Sequence, residues 1–502
     1  MLCLGFSQVM DAQMETVSIT NGIVKGEKAG ELAIFKGIPF AAPPVGNLRW
    51  KEPQPVANWK GTLLCTKFSA SPIQPTPAPF LCWSEEFIAP PEPLSEDCLY
   101  LNVWTAAKNK KEKRPVFVWI YGGGFSSGSA ACAIYDGAEM AKRGIVFVSI
   151  NYRVGPFGFM AHPELSKEQK AASGNYGILD QIAALKWVRK NITAFGGDPA
   201  QVTIAGQSAG SMSVYSLLAS PLAKGLFHKA IAESGGISSD LLLSKLPDAE
   251  KTGTAIQLAA GSNSLSDLRK KSAAEILQAS QAKGINRLGL VLDGYVLPKD
   301  LQQKFSTGQY NQVPLLLGWV TGDGSLFGKP DITADQFRKQ AVEKYGARAD
   351  EFLEVFKADN DEAAQFSQTR LTLLTFAGYP AHKLAGVNKP ASFIYEVAHV
   401  PTDKPGFPNY GAFHTSEVPY ALHTLHTWKR PWQQHDTDVE ALMSTYWIQF
   451  IKTGNPNGNS LPEWKAYKTV DGSILEIDAV TVLKPGLFKK EFDLLDKLET
   501  GK

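Results

Sequence analysis

The sequence predicts one large domain of the α/β class, in which a mostly parallel, twisted central sheet carries helices on both faces and long, elaborated loops. Short apolar runs rich in β-branched residues recur along the chain, and segments with helical spacing lie between them. Neither a linker nor an internal repeat divides the 502 residues. The runs that we predict as strands cover residues 116–121, 145–151, 202–205, 230–233, 315–319 and 393–397.

The predicted strands lack a clear alternation of apolar and polar residues. That pattern is typical of strands buried on both faces of a parallel sheet, so helices are expected on each side. Apolar residues at helical spacing predict helices over 177–191 and 439–453. Seven prolines between Pro72 and Pro93 predict a long irregular surface loop.

Composition excludes several classes of protein. With 51 basic and 49 acidic side chains, the net charge of +2 leaves no excess of cations to follow a nucleic-acid backbone. The chain has 11 Trp, 26 Phe and 15 Tyr, which is enough aromatic surface for a large core rather than a disordered chain. No apolar run reaches the roughly 18 residues that a membrane span needs.

The first 13 residues require a separate interpretation. They are apolar, end in Asp-Ala-Gln, and contain no Lys or Arg, the first of which is Lys25. We interpret residues 1–13 as a signal-peptide remnant that lacks its basic leading segment, or as an ordinary disordered N-terminus. Residues 14–502 then form the single domain, with a secreted or periplasmic location expected and a cytoplasmic one as the alternative.

The five cysteines match no zinc-binding pattern, so no metal site is predicted from them. Cys82 and Cys98 bracket part of the proline-rich segment. A bridge between them would close a loop of about 16 residues and stabilise the fold by about 3 kcal/mol. An oxidising compartment would preserve that disulfide, and two separate buried thiols are the alternative.

The most informative motif is Gly-Gln-Ser-Ala-Gly at residues 206–210, directly after a predicted strand. A serine at a sharp strand-to-helix turn projects its hydroxyl clear of the sheet, and the small residues around it let strand and helix approach closely. The helix that starts at Ala209 also directs its free N–H groups toward this point. We therefore predict that Ser208 is a nucleophile.

A run of three glycines, Gly122 to Gly124, follows the predicted strand 116–121. Without side chains, consecutive backbone N–H groups there can converge on one substrate oxygen and stabilise its negative charge. A flexible glycine turn is the alternative interpretation, and the nearby serine motif argues against it.

The chain resembles the type B carboxylesterases, the serine esterases that include cholinesterases and bacterial para-nitrobenzyl esterases. The resemblance covers nearly the whole length and implies an α/β-hydrolase fold. It implies Ser208 as nucleophile, an oxyanion hole formed by the N–H groups of Gly123, Gly124 and Ala209, and structural ion pairs Arg49–Glu96 and Arg153–Asp180. The matching stretches are residues 35–41, 95–104, 119–125, 151–154, 196–199 and 453–457.

A serine nucleophile needs a base and an acid, which in this fold follow it in the order serine, acid, histidine. His414, in a loop after the predicted strand 393–397, matches the family's base. Asp323 follows the strand 315–319 between two glycines and matches the acid, where the family usually has Glu. The alternatives are a loop histidine bound to backbone and a solvated aspartate. Ser234 matches a position that supports the acid through a hydrogen bond.

Two further departures from the family bear on the substrate. Gln207 stands where many relatives have Glu, so a negative charge that would attract a cationic choline ester is absent. Around Ser71 this chain lacks the first cysteine of a loop disulfide found in relatives, which leaves Cys82 to pair with Cys98 in a shortened version.

The sequence thus predicts a serine carboxylesterase that acts on a small-molecule ester through an acyl-enzyme, with no cofactor and no metal. Feruloyl-type or other aryl esters are the runner-up substrates, because four aromatic residues could form the pocket wall, with plain core packing of the same residues as the alternative. A catalytically silent adhesion or binding protein on the same scaffold is the alternative from another class. The four aromatic residues are Trp83, Phe125, Trp319 and Phe327.

Overall fold

The computed structural model describes residues 14–237, 242–326 and 328–500; the segment predicted as a signal remnant, residues 1–13, lies outside them. The strands are β1 Thr16–Ile19, β2 Gly22–Lys25, β3 Glu27–Ala29, β4 Leu32–Pro39, β5 Thr62–Leu64, β6 Ser71–Pro72, β7 Leu94–Ser95, β8 Tyr100–Thr105, β9 Arg114–Ile120, β10 Val146–Ile150, β11 Gly197–Gln207, β12 Lys229–Glu233, β13 Leu243–Lys245, β14 Leu290–Leu292, β15 Leu315–Val320, β16 Ser392–Val397, β17 Ile474–Ile477 and β18 Val482–Lys484.

Helices alternate with these strands along most of the chain. Within the described residues, no helix is both long and apolar enough to cross a bilayer. The helices are α1 Ala138–Lys142, α2 Gly155–Phe159, α3 Pro163–Glu168, α4 Tyr176–Asn191, α5 Ala209–Ala219, α6 Leu246–Ala259, α7 Leu265–Lys270, α8 Ala273–Ser280, α9 Leu301–Ser306, α10 Ala334–Tyr345, α11 Ala349–Val355, α12 Asp361–Leu373, α13 Tyr379–Val387, α14 Val418–Leu422, α15 Gln434–Thr453 and α16 Lys489–Thr500.

One large mixed sheet organises the molecule. Its strands lie in the order β18-β17-β16-β15-β12-β11-β9-β10-β8-β4-β3. In the middle of the sheet, neighbouring strands along the order β10-β9-β11-β12-β15-β16-β17 pair in parallel. Antiparallel pairing is confined to the two edges. The predicted fold class, a mostly parallel sheet surrounded by helices, is confirmed.

The centre of this sheet is the core. Strands β10, β12, β15 and β16 are buried along their whole length, which explains why their sequences show no alternation. Five of the six predicted strands agree with the structure to within two residues at each end, whereas β11 begins five residues earlier than predicted. Helix α5 packs against β11 and β12, directly behind the predicted nucleophile.

The proline-rich loop is fastened by packing rather than by a disulfide. Gln74 exchanges two hydrogen bonds with the backbone of Gly128, at 2.8 and 2.9 Å, and Phe87 lies edge-on to Trp428 at 4.8 Å. The predicted Cys82–Cys98 bridge is wrong, because both residues are free thiols. Cys98 is buried in the core, whereas Cys82 lies on the loop.

The two predicted ion pairs are present. Arg49 and Glu96 form a two-bond pair, with Arg49 Nε 2.6 Å from Glu96 Oε2. Arg153 donates from Nε, Nη2 and its backbone N–H to Asp180, at 2.7 to 3.0 Å, and both side chains are buried. The second pair fastens the segment before α2 onto helix α4.

Removing one partner of this buried pair should strongly destabilise the fold, since it leaves a charge in the core without compensation. We expect Asp180→Ala to lower the free energy of unfolding by about 3–5 kcal/mol. Urea-induced unfolding followed by tryptophan fluorescence measures the loss. Asp248→Ala, which breaks the exposed Lys251–Asp248 pair, is the control and should unfold like the wild type. Equal stability of the two variants would contradict the assignment.

Candidate active site

Ser208 occupies a strained turn between β11 and α5. Its backbone angles, φ 59° and ψ −122°, are rarely adopted by a residue with a side chain. The turn exists because two neighbours lack side chains. A Cβ on Gly206 would lie 2.6 Å from the backbone of Gly210, and a Cβ on Gly210 would lie 2.1 Å from the carbonyl oxygen of Ile120. The predicted close approach of strand and helix is therefore observed.

Asp323 and His414 are brought together by two loops that follow β15 and β16. Asp323 is fully buried in the 3₁₀ turn Thr321–Ser325, and its Oδ1 lies 2.6 Å from His414 Nδ1. The Gly322 N–H donates to the carbonyl of Ala412 at 3.0 Å, and a Cβ on Gly322 would lie 2.3 Å from that oxygen. The missing side chain thus lets the loops touch, and the short aspartate can reach the imidazole.

The side chain of Gln207 engages the other nitrogen of His414. Its Nε2 lies 3.1 Å from His414 Nε2, while its Oε1 accepts a hydrogen bond from Thr415 Oγ1 at 3.3 Å. The amide donor at Nε2 and the carboxylate acceptor at Nδ1 are both satisfied by the imidazole tautomer that carries its proton on Nδ1. That tautomer leaves Nε2 able to accept a proton.

Ser208 and His414 line the same cavity. Among the residues that the structure describes, no hydrogen bond within 3.5 Å joins Ser208 Oγ to His414. Such contacts are often long before substrate binds, because they tighten only in the complex.

The glycine turn after β9 lies directly against the serine turn. A Cβ on Gly122 would be 2.7 Å from the Gln207 carbonyl and 3.0 Å from Ser208 Cβ. In the described chain, the N–H groups of Gly123 and Gly124 have no acceptor within the protein. Together with Ala209 at the start of α5, these residues line the cavity beside Ser208. Three residues with candidate backbone donors therefore lie in the cavity wall next to Ser208.

The cavity over these groups has a volume of about 740 Å³, enough for a small-molecule ester. Of the aromatic residues predicted to line it, Trp83 does so. Phe125 and Trp319 do not, since Phe125 is buried against Phe159 at 4.7 Å and Trp319 donates to Glu396 inside the core. Phe327 lies outside the described residues. The aromatic wall consists of Phe80, Trp83, Phe87, Tyr135 and Phe376.

Ser234 supports a different carboxylate from the one predicted. Its hydroxyl donates to Glu417 Oε1 at 2.5 Å and not to Asp323, whose oxygens already accept from His414 and the Val320 N–H. Burial and the nearby charge of Asp323 raise the pKa of Glu417 to about 7. Glu417 is therefore a second buried ionisable carboxyl near Asp323 and His414. It was not predicted from the sequence.

Glu417 should make stability depend on pH. Its pKa is about 7 in the folded protein against an ordinary value of 4.5 for a glutamate, so the neutral carboxyl stabilises the fold fully below pH 4.5. This stabilisation is lost as the pH rises through about 7. Glu417→Gln mimics the neutral form and should unfold at a higher temperature than wild type at pH 8 but at a similar temperature at pH 5.

Thermal unfolding across that pH range measures the effect. Glu354→Gln, the same change at an exposed glutamate, is the control and should follow the wild-type curve at every pH. A constant difference between Glu417→Gln and wild type from pH 5 to pH 8 would contradict the assignment.

One group of side chains elsewhere has the composition of a metal site. His399, His435 and Asp436 offer ligand atoms within 4.8 Å of one another. However, Asp436 already accepts hydrogen bonds from His399, Thr402 and Tyr420. We therefore interpret the group as a structural hydrogen-bond network.

Comparisons with known proteins agree with this geometry. A profile of the carboxylesterase family matches residues 13–495. The fumonisin B1 esterase of Sphingopyxis macrogoltabida is 34% identical over 471 residues, which span 89% of this chain and 84% of that protein. The para-nitrobenzyl esterase of Bacillus subtilis (strain 168) is 36% identical over 483 residues, 93% of this chain and 95% of that protein.

Solved structures give the same result. The carboxylesterase Est55 of Geobacillus stearothermophilus has a TM-score of 0.83 at 31% identity, and the match covers 96% of this chain and 99% of that one. A PNB esterase structure also has a TM-score of 0.83, at 30% identity and the same coverage. The resemblance found in the sequence is thus confirmed, and the chain belongs to the carboxylesterase family of α/β-hydrolase fold enzymes, which hydrolyse carboxylic esters.

Proposed function

We propose that this carboxylic-ester hydrolase works through Ser208 as nucleophile, His414 as base and Asp323 as the acid that orients it. The observation that carries the proposal is the cavity wall, where a strained serine, a carboxylate-bound histidine and unpaired backbone N–H groups adjoin one another. Each group supplies one requirement of acyl transfer.

Acylation begins when Ser208 Oγ attacks the ester carbonyl carbon while His414 Nε2 takes the hydroxyl proton. The carbonyl oxygen becomes negative and accepts hydrogen bonds from the N–H groups of Gly123, Gly124 and Ala209. Asp323 stabilises the imidazolium through Nδ1. His414 then gives its proton to the leaving alkoxide, and the C–O bond breaks to form the acyl-enzyme.

Deacylation repeats these steps with water. His414 takes a proton from the water as it attacks the acyl-enzyme, and the same backbone donors bind the second oxyanion. Collapse of this intermediate returns the proton from His414 to Ser208 and releases the carboxylic acid.

The aromatic wall favours esters with an apolar acyl or alcohol group, and aryl esters are the second candidate. Trp83 and Phe376 flank the His414 ring with centroids 6.3 and 5.6 Å away, so an aryl acyl or alcohol group would meet aromatic faces. Gln207 adds no negative charge, which argues against choline esters. The silent-binding alternative is disfavoured because no member of the proposed triad is missing.

A secreted or periplasmic location remains a proposal that rests on residues 1–13 alone. Its second support, the Cys82–Cys98 disulfide, is not formed. Cell fractionation with immunodetection tests the location, and recovery in the cytosol alone would contradict it.

Replacing the nucleophile tests the proposed function. Ser208→Ala should fold normally and lower kcat for 4-nitrophenyl butyrate hydrolysis by about 10⁴- to 10⁶-fold, because the covalent route is lost. Ser216→Ala on the same helix, whose hydroxyl donates to the Met212 carbonyl, is the matched control and should keep most of the activity. A Ser208→Ala protein with more than a tenth of wild-type kcat would refute the assignment.

A further inference from the structure

A guanidinium group lies against the glycine turn of the proposed oxyanion hole. Arg287 Nη2 donates to the carbonyl of Gly124 at 3.5 Å, and a Cβ added to Gly124 would lie only 2.0 Å from the same nitrogen. Since a Cβ stands about 1.5 Å from its Cα, the guanidinium touches the Cα of Gly124. That Cα is one bond from the N–H expected to bind the substrate oxygen.

No carboxylate in the described part of the chain compensates this charge. Among residues 14–237, 242–326 and 328–500, Arg287 forms no ion pair, and its one hydrogen bond is the long contact to Gly124. Arg287 is an exposed residue of the cavity lining, and desolvation by the surrounding protein atoms lowers the pKa of its guanidinium. An arginine nevertheless stays protonated at neutral pH, so a full positive charge faces the cavity.

Arg287 differs in charge from the rest of the described cavity lining. Within the described part of the lining, Arg287 is the only side chain with a permanent charge, and no Asp or Glu takes part. Gln207, which directly precedes the nucleophile, is neutral and adds no negative charge to the cavity. A substrate anion would therefore meet one permanent positive charge and, within the described lining, no carboxylate.

We infer that Arg287 binds a carboxylate carried by the substrate, so that the preferred esters are anionic amphiphiles such as monoesters of dicarboxylic acids. The inference rests on the proposed function, because it places the carboxylate relative to the oxyanion hole. A guanidinium presents parallel N–H donors that match the two oxygens of a carboxylate. The remaining substrate atoms would pack against the aromatic wall.

Matched pairs of esters test this inference and separate its two geometries. One pair carries the charge on the acyl side, 4-nitrophenyl hydrogen adipate and its methyl ester. The other carries it on the alcohol side, 4-acetoxybenzoate and its methyl ester. For each pair, the ratio of kcat/KM for the anionic ester to kcat/KM for the neutral ester is measured in wild type, Arg287→Gln and Arg287→Lys.

We expect Arg287→Gln to lower this ratio at least about tenfold for one pair, because a charge-assisted pair is lost, and Arg287→Lys to restore part of it. The pair that responds identifies the side of the ester that carries the anion. High salt should lower the wild-type ratio as well. Lys283→Gln, an equal charge change at an exposed residue of the same segment that does not line the cavity, should leave the ratio within about twofold of wild type.

Two results would overturn the inference. If Arg287→Gln lowered kcat for anionic and neutral esters equally, Arg287 would only brace the glycine turn. If no ratio changed, the charge would not contact substrate. In both results the wild type still hydrolyses the neutral esters through Ser208, so they are distinguishable from failure of the proposed function.

A binding measurement keeps the test independent of turnover. In the Ser208→Ala background, the Kd of 4-nitrophenyl hydrogen adipate or 4-acetoxybenzoate is read from quenching of tryptophan fluorescence, since Trp83 lines the cavity. Adding Arg287→Gln should weaken binding of at least one of them about tenfold or more. Equal affinities with and without Arg287 for both would refute the carboxylate site even if no ester were hydrolysed.

Discussion

The hydrogen bond between His414 Nδ1 and Asp323 Oδ1 is the contact on which the proposed chemistry depends. It exists only because two loops from neighbouring parallel strands touch backbone to backbone, with the Gly322 N–H on the Ala412 carbonyl. A longer acid would let the loops stand apart, whereas an aspartate requires them to meet. The pair is buried, and Asp323 holds the imidazole through Nδ1 at a point where His414 lines the cavity.

The sheet explains why the groups of the site converge. Strands β9, β11, β15 and β16 are parallel, so the segments that follow them meet at one edge. The glycine turn follows β9, Ser208 follows β11, Asp323 follows β15, and His414 lies in the longer connection after β16. Behind them, Ser234 and Glu417 form a second buried layer whose carboxyl titrates near neutrality. The same sheet therefore supports both the hydrogen-bonded side chains of the site and the apolar wall of the cavity.

Much of the fold and of the site could be predicted from the sequence, and the wrong predictions have physical causes. Buried parallel strands have continuous apolar runs, and the glycine-flanked serine marks its turn, so both were predicted. The Cys82–Cys98 bridge was wrong because spacing along the chain says nothing about which side chains a loop packs into the core. Phe125 and Trp319 were placed in the pocket although their apolar character equally suits the core. Partners set by three-dimensional proximity, such as Ser234 with Glu417 and Arg287 with Gly124, leave no signal in local sequence.

The central claim, that Asp323 orients His414 from a loop fitted to aspartate, is tested most directly by kcat for ester hydrolysis in Asp323→Asn and Asp323→Glu. We expect Asp323→Asn to lower kcat by about 10³- to 10⁴-fold with little change in KM, because the amide favours the wrong imidazole tautomer. Asp323→Glu should also lower kcat, since Gly322 packed against Ala412 leaves the loop no room to retreat. Near-normal kcat in Asp323→Asn would contradict the account and assign the acid's role to another carboxylate.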